Sequence, residues 1–348
     1  MSKSRAFEAP RPKGNGDAAT QASEWAAYLH SGGSTPAGRG AFEAWLAASA
    51  DNRRAFERLE QTWRNLDHAI VWNKDLDASS GAIADTSRER NRRPRVPGVP
   101  SIAASIAAGV VAIGVAGYGV WRAATYDPIT ATQFSSGIGE IETVTLEDGT
   151  AITLGASSTL TTRFSKNARR AELTRGQAYF DVAAEAARVF SVRAAGTEVR
   201  VLGTEFDIAK RSSGVTVSVL AGLVDVVDLP DEDEPGNGRS VQLTGGEQVH
   251  AQLDGALSDK AAFAVDDAMG WREGRLDYKS TPLGLIIEDV NRYRTDKIVL
   301  EDEALAETVI TITLPTDNTD LLLSGLAMSE DVEIERDYRG VVITPKPE

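Results

Sequence analysis

The stretch VTLEDGTAITL, residues 144–154, predicts the architecture of the larger part of the chain. Valine, leucine and isoleucine alternate with polar residues on both sides of the pair Asp148-Gly149. A period of two is typical of a half-buried strand, and Asp-Gly between two such runs is a strong hairpin signal. The stretch therefore predicts a β-hairpin.

Similar β-forming runs continue from this hairpin towards the C-terminus. They occupy residues 171–182, 189–192, 198–208, 215–227 and 241–251. We therefore expect an all-β part over residues 122–260. The pattern fits the rungs of a β-solenoid and the strands of a β-sandwich equally well, so both architectures stay open.

From residue 261 to residue 348 the helical and strand periods mix. Strand signals at 276–278, 298–300 and 309–314 alternate with two helical stretches, 282–293 and 319–328, before a last hairpin at 332–343. This β-α-β-β-α-β-β order predicts a compact α+β module.

Residues 17–72 have a helical period, between a polar tail over residues 1–16 and a linker over residues 73–97. So small an all-α domain buries its apolar faces poorly, and we expect part of its aromatic surface to serve a partner. A helical core is the alternative use of its tryptophans. The candidate partner-binding residues are Trp25, Leu29, Phe42, Trp45, Leu46, Phe56 and Trp63.

The run Val96–Trp121 contains no charged residue and follows five arginines between residues 88 and 95. About 20 apolar residues cross a bilayer, and a lysine and arginine excess marks the cytoplasmic flank. The pattern predicts a single transmembrane helix over residues 98–121, with the N-terminus in the cytoplasm. A buried core helix is the alternative. Nucleic-acid binding is a weaker use of the arginines than membrane topology and anionic lipid.

Charge and composition exclude several kinds of chemistry. The formal net charge of the chain is -14, of which residues 1–95 carry +3 and residues 122–348 carry -17. There is no cysteine, and the three histidines, at 30, 68 and 250, are far apart. Disulfides, thiolate zinc sites and paired-histidine metal sites are therefore excluded. We expect no metal, no cofactor and no enzyme active site.

An ordered set of short motifs resembles the FecR-type anti-sigma regulators. The motifs are Trp25…Leu29, Phe42…Trp45-Leu46, Asn52…Ala55…Trp63, TLEDGT (145–150), LTRGQAYFDV (173–182), FSV (190–192), VLGTEF (201–206), GLVDV (222–226), LTGGEQ (243–248), Trp271…Gly274…Leu276 and NRY (291–293). The resemblance covers nearly the whole chain, from about Ala18 to Thr344.

The resemblance implies a multidomain relay protein of the bacterial inner membrane. It implies that the helices hold an extracytoplasmic-function sigma factor. The periplasmic part would comprise a FecR-like β domain and an STN-like module that contacts the N-terminal signalling domain of a TonB-dependent outer-membrane receptor. Proteases would release the signal, and no nucleic acid would be bound directly. Trp271, Leu283 and Tyr293 are the candidate receptor-binding residues.

The resemblance also implies self-cleavage at a Gly-Thr bond, which corresponds here to Gly203-Thr204. A threonine hydroxyl can attack the preceding carbonyl to form an ester that water opens. A bulge or turn between strands is the alternative use of this pair.

The rival function is a membrane-anchored periplasmic protein that binds glycan or assists envelope assembly. It requires an exposed aromatic platform on the β part. The aromatic residues in question are Phe134, Phe164, Tyr179, Phe180, Phe190 and Phe206, mostly in phase with a strand core.

Overall fold

The computed structural model describes residues 18–30, 35–66, 129–185, 188–229, 239–253, 256–328, 332–338 and 340–346. Apart from Ile129, these described residues belong to one compact unit. The predicted tail over residues 1–16 and the linker over residues 73–97 lie outside the described residues.

Three helices form the N-terminal part, as the sequence predicts. They are α1 (Ala18–His30), α2 (Pro36–Ala48) and α3 (Ala50–Leu66). Thr35 caps α2, because its Oγ1 accepts a hydrogen bond from the Gly38 amide at 3.1 Å and Pro36 occupies the first turn. The helices bury a core of aromatic and small side chains.

A 13-stranded sheet forms the β part. Its strands are β1 (Thr130–Ser135), β2 (Glu142–Thr145), β3 (Ala151–Leu154), β4 (Thr159–Phe164), β5 (Arg169–Asp181), β6 (Phe190–Ala194), β7 (Thr197–Val201), β8 (Glu205–Arg211), β9 (Gly214–Ala221), β10 (Leu223–Asp228), β11 (Ser240–Thr244), β12 (Glu247–Ala251) and β13 (Ala261–Ala262). Strands β2 and β3 confirm the hairpin predicted over residues 144–154, with Thr145 opposite Ala151. Gly149 has a φ of +86° in its turn, which glycine adopts readily.

Strand β5 joins the two halves of this sheet. Its first residues pair with β4 and β6, whereas residues 176–181 pair with β3 and β8. It changes partners at Gly176, where φ is +86° and a Cβ atom would lie only 2.2 Å from the Ser158 hydroxyl. The sheet therefore curves into a half-barrel around one core, to which Phe190 and Val226 of one half and Phe206 and Val217 of the other contribute.

The half-barrel decides between the two predicted β architectures. In the β part only β5 and β6 pair in parallel, and the other strand pairs in the described residues are antiparallel. Stacked solenoid rungs would instead repeat a parallel pairing. The described strands therefore do not form solenoid rungs, and they make one curved sheet in place of the two separate sheets of a sandwich.

The C-terminal module confirms the predicted order of helices and strands. Its elements are α4 (Val265–Met269), a 3₁₀ helix (Gly270–Glu273), β14 (Arg275–Pro282), α5 (Leu283–Val290), β15 (Ile298–Leu300), α6 (Glu303–Ala306), β16 (Val309–Pro315), α7 (Asp320–Ala327), β17 (Val332–Asp337) and β18 (Gly340–Pro345). Strands β14 and β16 pair antiparallel, while β15, β18 and β17 form a three-stranded sheet. The short helices α4 and α6 were not predicted.

The predicted fold class is wrong in its single transmembrane helix. Within the described ranges, no helix has both the length and the apolar character needed to cross a bilayer. The segment over residues 98–121 lies outside those ranges. The prediction depended on missing charge and on length, in a run composed mainly of alanine, glycine and valine rather than leucine.

Candidate functional site

The aromatic residues predicted to bind a sigma factor form one cluster inside the helical part. The Trp25 ring centroid lies 5.6 Å from that of Phe42 and 6.2 Å from that of Trp45. Phe42 in turn lies 4.8 Å from Phe56. Trp45 Nε1 donates a 2.6 Å hydrogen bond to Gln21 Oε1, which satisfies its polar end. The cluster is therefore the core of the helices, which was the alternative use of the tryptophans.

The same candidates divide into buried and accessible side chains. Trp25, Trp45 and Phe56 are buried in this core. The remaining described candidates, Leu29, Phe42 and Leu46, pack against it but are partly exposed. Trp63 lies on α3, and its side chain is outside the described part of the structure. A partner could contact the partly exposed side chains without opening the helices.

Gly203 and Thr204 lie in the short connection between β7 and β8, as the alternative use of this pair predicts. A Cβ atom on Gly203 would lie 2.6 Å from the Ala184 Cα, so only glycine fits this approach. The Thr204 carbonyl accepts a hydrogen bond from the Val182 amide at 3.0 Å. The Thr204 Oγ1 is buried and has no hydrogen-bond partner among the described residues. An unsatisfied buried hydroxyl is unusual and is often functional.

A buried network of ions ties the C-terminal module to the β part. The Asp289 carboxylate, on α5, accepts hydrogen bonds from Arg211 on β8, at 3.1 Å from Nε and 3.0 Å from Nη2. Arg292 and the Tyr278 hydroxyl, at 3.3 Å, donate to the same carboxylate. Burial favours the neutral acid, but the two guanidinium groups outweigh it and lower the pKa of Asp289. The carboxylate therefore stays ionised.

Further hydrogen bonds to two residues of the module, Glu288 and Arg292, hold it on the sheet. The Ser212 amide donates to Glu288 Oε1 at 2.8 Å. The Arg292 carbonyl accepts from the Gly139 amide at 3.0 Å and from the Ser157 hydroxyl at 3.1 Å. Because these contacts reach three separate segments of the β part, we expect the two parts to move together.

A second buried carboxylate, Asp207, lies on β8 beside this network. Gln177 Nε2 donates to it at 2.9 Å, and Trp271 Nε1 donates at 3.2 Å. Burial raises the pKa of Asp207 to about 7, although these hydrogen bonds and the nearby charges of Arg211 and Arg292 oppose the rise.

The candidate receptor-binding residues belong to the core of the C-terminal module. Trp271 and Leu283 are 3% and 1% exposed, and Tyr293 packs against the same cluster with a partly exposed side chain. Burial raises the pKa of Tyr293 to about 12. Trp271 and Leu283 therefore shape the module from inside, and a role in receptor binding stays a prediction.

Sequence reasoning missed Asp207, Arg211 and Asp289. A signal for the first two existed, since they alternate with the core residues Phe206 and Ile208 on β8 and so lie on the outer face of the sheet. Nothing local indicated that a distant helix would supply the carboxylate.

The described β part has few exposed aromatic side chains of the kind that the rival glycan-binding function requires. Five of its six aromatic side chains, Phe164, Tyr179, Phe180, Phe190 and Phe206, are buried. Phe134 is partly exposed and packs against the core. The described residues also contain no group of three or more histidines and carboxylates that could hold a metal ion.

Comparisons with known proteins agree with this architecture. The family described as FecR protein matches residues 132–225, and a domain of unknown function, DUF4880, matches residues 20–62. Two crystal structures of a candidate anti-sigma factor from Parabacteroides distasonis, at 2.50 and 1.65 Å resolution, are each 25% identical with a TM-score of 0.55. They cover 63% and 62% of this chain and 100% of their own. No curated protein matches the chain.

The matches to the FecR and DUF4880 models and the anti-sigma neighbours support an anti-sigma regulator role. They confirm the resemblance to the FecR-type regulators that the sequence motifs indicated.

Proposed function

We propose that this anti-sigma regulator relays a signal from an outer-membrane receptor to an extracytoplasmic-function sigma factor. The helices would hold the sigma factor, and the STN-like C-terminal module would contact the signalling domain of a TonB-dependent receptor. The observation that carries the proposal is the Asp289 network, which fixes the module to the FecR part. A force on the module would therefore reach the sheet.

The sigma-binding surface is proposed around Leu46 on α2, with Leu29 and Phe42. Among the described side chains of the helices, these are the large apolar ones that are partly exposed. Ala47, next to Leu46, is exposed and supplies a matched control position.

The test is transcription from a sigma-dependent promoter in cells that produce the full chain. Leu46→Glu should release the sigma factor, because a charge would enter the apolar contact, whereas Ala47→Glu should behave like the unchanged chain. Equal promoter activity with both variants, at equal protein levels, would remove this surface from the proposal.

The proposed contact between the C-terminal module and the receptor is tested separately. The purified signalling domain of the receptor encoded nearest the chain should bind the full chain, and Asp289→Asn should weaken signal transfer without removing that binding. Loss of promoter induction with retained binding would support a mechanical link. Unchanged induction would contradict it.

Location at the inner membrane is part of the proposal. In the structure, Leu202 of the β part is 2% exposed and packs with the helical cluster. That contact requires both parts in one compartment. Reporter fusions after residues 66 and 346 test this contact, since one compartment for both positions supports it and opposite compartments would contradict it.

Release of the signal by proteolysis, preceded by self-cleavage at Gly203-Thr204, completes the proposal. The Thr204 Oγ would attack the Gly203 carbonyl carbon, the peptide C–N bond would break, and an ester with a free Thr204 amine would form. Water would then hydrolyse the ester to a Gly203 carboxylate and restore the hydroxyl. The unpartnered, buried Oγ1 supports this step, because no hydrogen bond must be broken before attack.

Intact-mass measurement of the full chain tests the cleavage. Fragments 1–203 and 204–348 should appear with the natural chain and with Thr204→Ser, but not with Thr204→Val, which has the same shape without the hydroxyl. A single uncleaved mass for the natural chain from its own host would end this part of the proposal.

A further inference from the structure

A cleft of about 500 Å³ opens between the outer face of the sheet and the C-terminal module. Its size falls within the range of small-molecule sites, about 300–1,000 Å³. The residues on the floor of the cleft follow from the strand register. Asp207 on β8 lies opposite Ser218 on β9, and Ser218 lies opposite Gln248 on β12. One row of polar side chains therefore crosses three strands. The far wall carries Trp271 and Tyr278 of the module.

Among the acids that line the cleft, Asp289 and Asp277 are paired and Asp207 is the exception. Asp289 pairs with Arg211 at 3.0 Å, and Asp277 pairs with Arg275 at 2.6 Å. Asp207 forms no salt bridge within the described residues, and both of its hydrogen-bond donors, Gln177 and Trp271, are neutral.

The nearby arginines do not neutralise the charge of the Asp207 carboxylate. The guanidinium groups of Arg211 and Arg292 are already engaged by the Asp289 carboxylate. Two neutral donors leave other lone pairs of the Asp207 carboxylate available. A buried carboxylate is costly unless a cation compensates it. The acidic excess of residues 122–348 also favours the approach of a positive ligand.

We propose that this cleft binds a small organic cation, with a primary amine or guanidinium group on the Asp207 carboxylate. Ser218 and Gln248 lie along the floor and would accept further hydrogen bonds from the same ligand. Trp271 in the cleft wall is also a candidate receptor-binding residue, but binding of a cation by Asp207 does not depend on the proposed function.

The test is calorimetric titration of the full chain with arginine amide and with citrulline amide. The second probe has nearly the same shape as the first and the same α-amine, but a neutral urea replaces the guanidinium group. At pH 8 we expect arginine amide to bind about 30-fold more tightly, as a desolvated charge pair implies. Equal affinities, or no heat from either probe up to about 10 mM, would overturn the proposal.

Asp207→Asn should abolish the preference for arginine amide, because it keeps the shape and removes the charge. Asp259→Asn is the matched control, since its carboxylate is fully exposed outside the cleft. A preference that survives Asp207→Asn would contradict the assignment even if the cleft binds both probes.

The pH dependence of binding supplies a second readout, because a carboxylate with a purely structural role would not change the affinity for the cation. The charged and titratable groups around Asp207 are Arg211 on its own strand, Arg292 and Tyr293 after α5, and Asp289 on α5, which pairs with both arginines. Tyr293 stays neutral from pH 5 to 8, because burial raises its pKa to about 12. The affinity for arginine amide should therefore fall about tenfold per pH unit below pH 7, with uptake of the cation releasing one proton. A flat pH profile would count against the site.

Discussion

Neutralising Asp289 should cause a large loss of stability, because one carboxylate balances two buried guanidinium groups. Asp289→Asn leaves Arg211 and Arg292 facing a neutral amide. Breaking a buried pair from one side costs about 3–5 kcal/mol. Water reaches part of Arg211, whose side chain is 22% exposed, so we expect the lower end, about 3 kcal/mol. Urea unfolding of the full chain at pH 7 measures this change.

The pH dependence follows from the direction of the pKa shift. The pKa of Asp289 is lower in the folded protein than in the unfolded one, so the network stabilises the fold above the ordinary pKa. That contribution is lost as the pH falls through the folded pKa. The difference between Asp289→Asn and the natural chain should therefore shrink below about pH 4.

Asp320→Asn is the control for this experiment. Asp320 pairs with Arg294 at 2.7 Å, but its side chain is 60% exposed, so its loss should cost less than about 1 kcal/mol. Hydrogen exchange should also show β8 and α5 losing protection in Asp289→Asn alone. Equal destabilisation by the two substitutions would refute the reasoning about the buried network.

Three further changes test separate features of the fold. Burial raises the folded pKa of Asp207 to about 7, so its ionisation lowers the stability of the fold as the pH rises. Asp207→Asn should therefore stabilise the chain in thermal unfolding at pH 8 but not at pH 4. Thr204→Val should raise the free energy of unfolding by about 1 kcal/mol, since it removes an unsatisfied hydroxyl; a loss would reveal a hidden partner. Gly38→Ala would place a Cβ 1.8 Å from the Tyr28 hydroxyl and should cost about 1–3 kcal/mol, whereas Gly40→Ala, with open space around it, should cost nothing.

The spacing of hydrophobic residues within short segments explains how much of the architecture could be predicted. The hairpin over residues 144–154 and the element order of the C-terminal module depend on near neighbours, and both were confirmed. The half-barrel depends on β5 changing partners at Gly176, where its close approach to Ser158 forces the bend. A period of two cannot reveal which strands pair across such a bend.

The candidate sites show the same limit. The aromatic residues of α1 and α2 were correctly placed on helices, but their mutual packing makes Trp25 and Trp45 core residues. Arg211 and Asp289 are 78 residues apart in the chain, and only the folded module brings them together. The family resemblance supplied the anti-sigma role, which no residue pattern alone would have indicated.

The most direct measurement is affinity purification of the tagged full chain from its native cells, with mass spectrometry of the bound proteins. The account predicts recovery of a sigma factor with the natural chain and with Ala47→Glu, and its loss with Leu46→Glu. Absence of any sigma factor from the folded, natural chain would contradict the anti-sigma role.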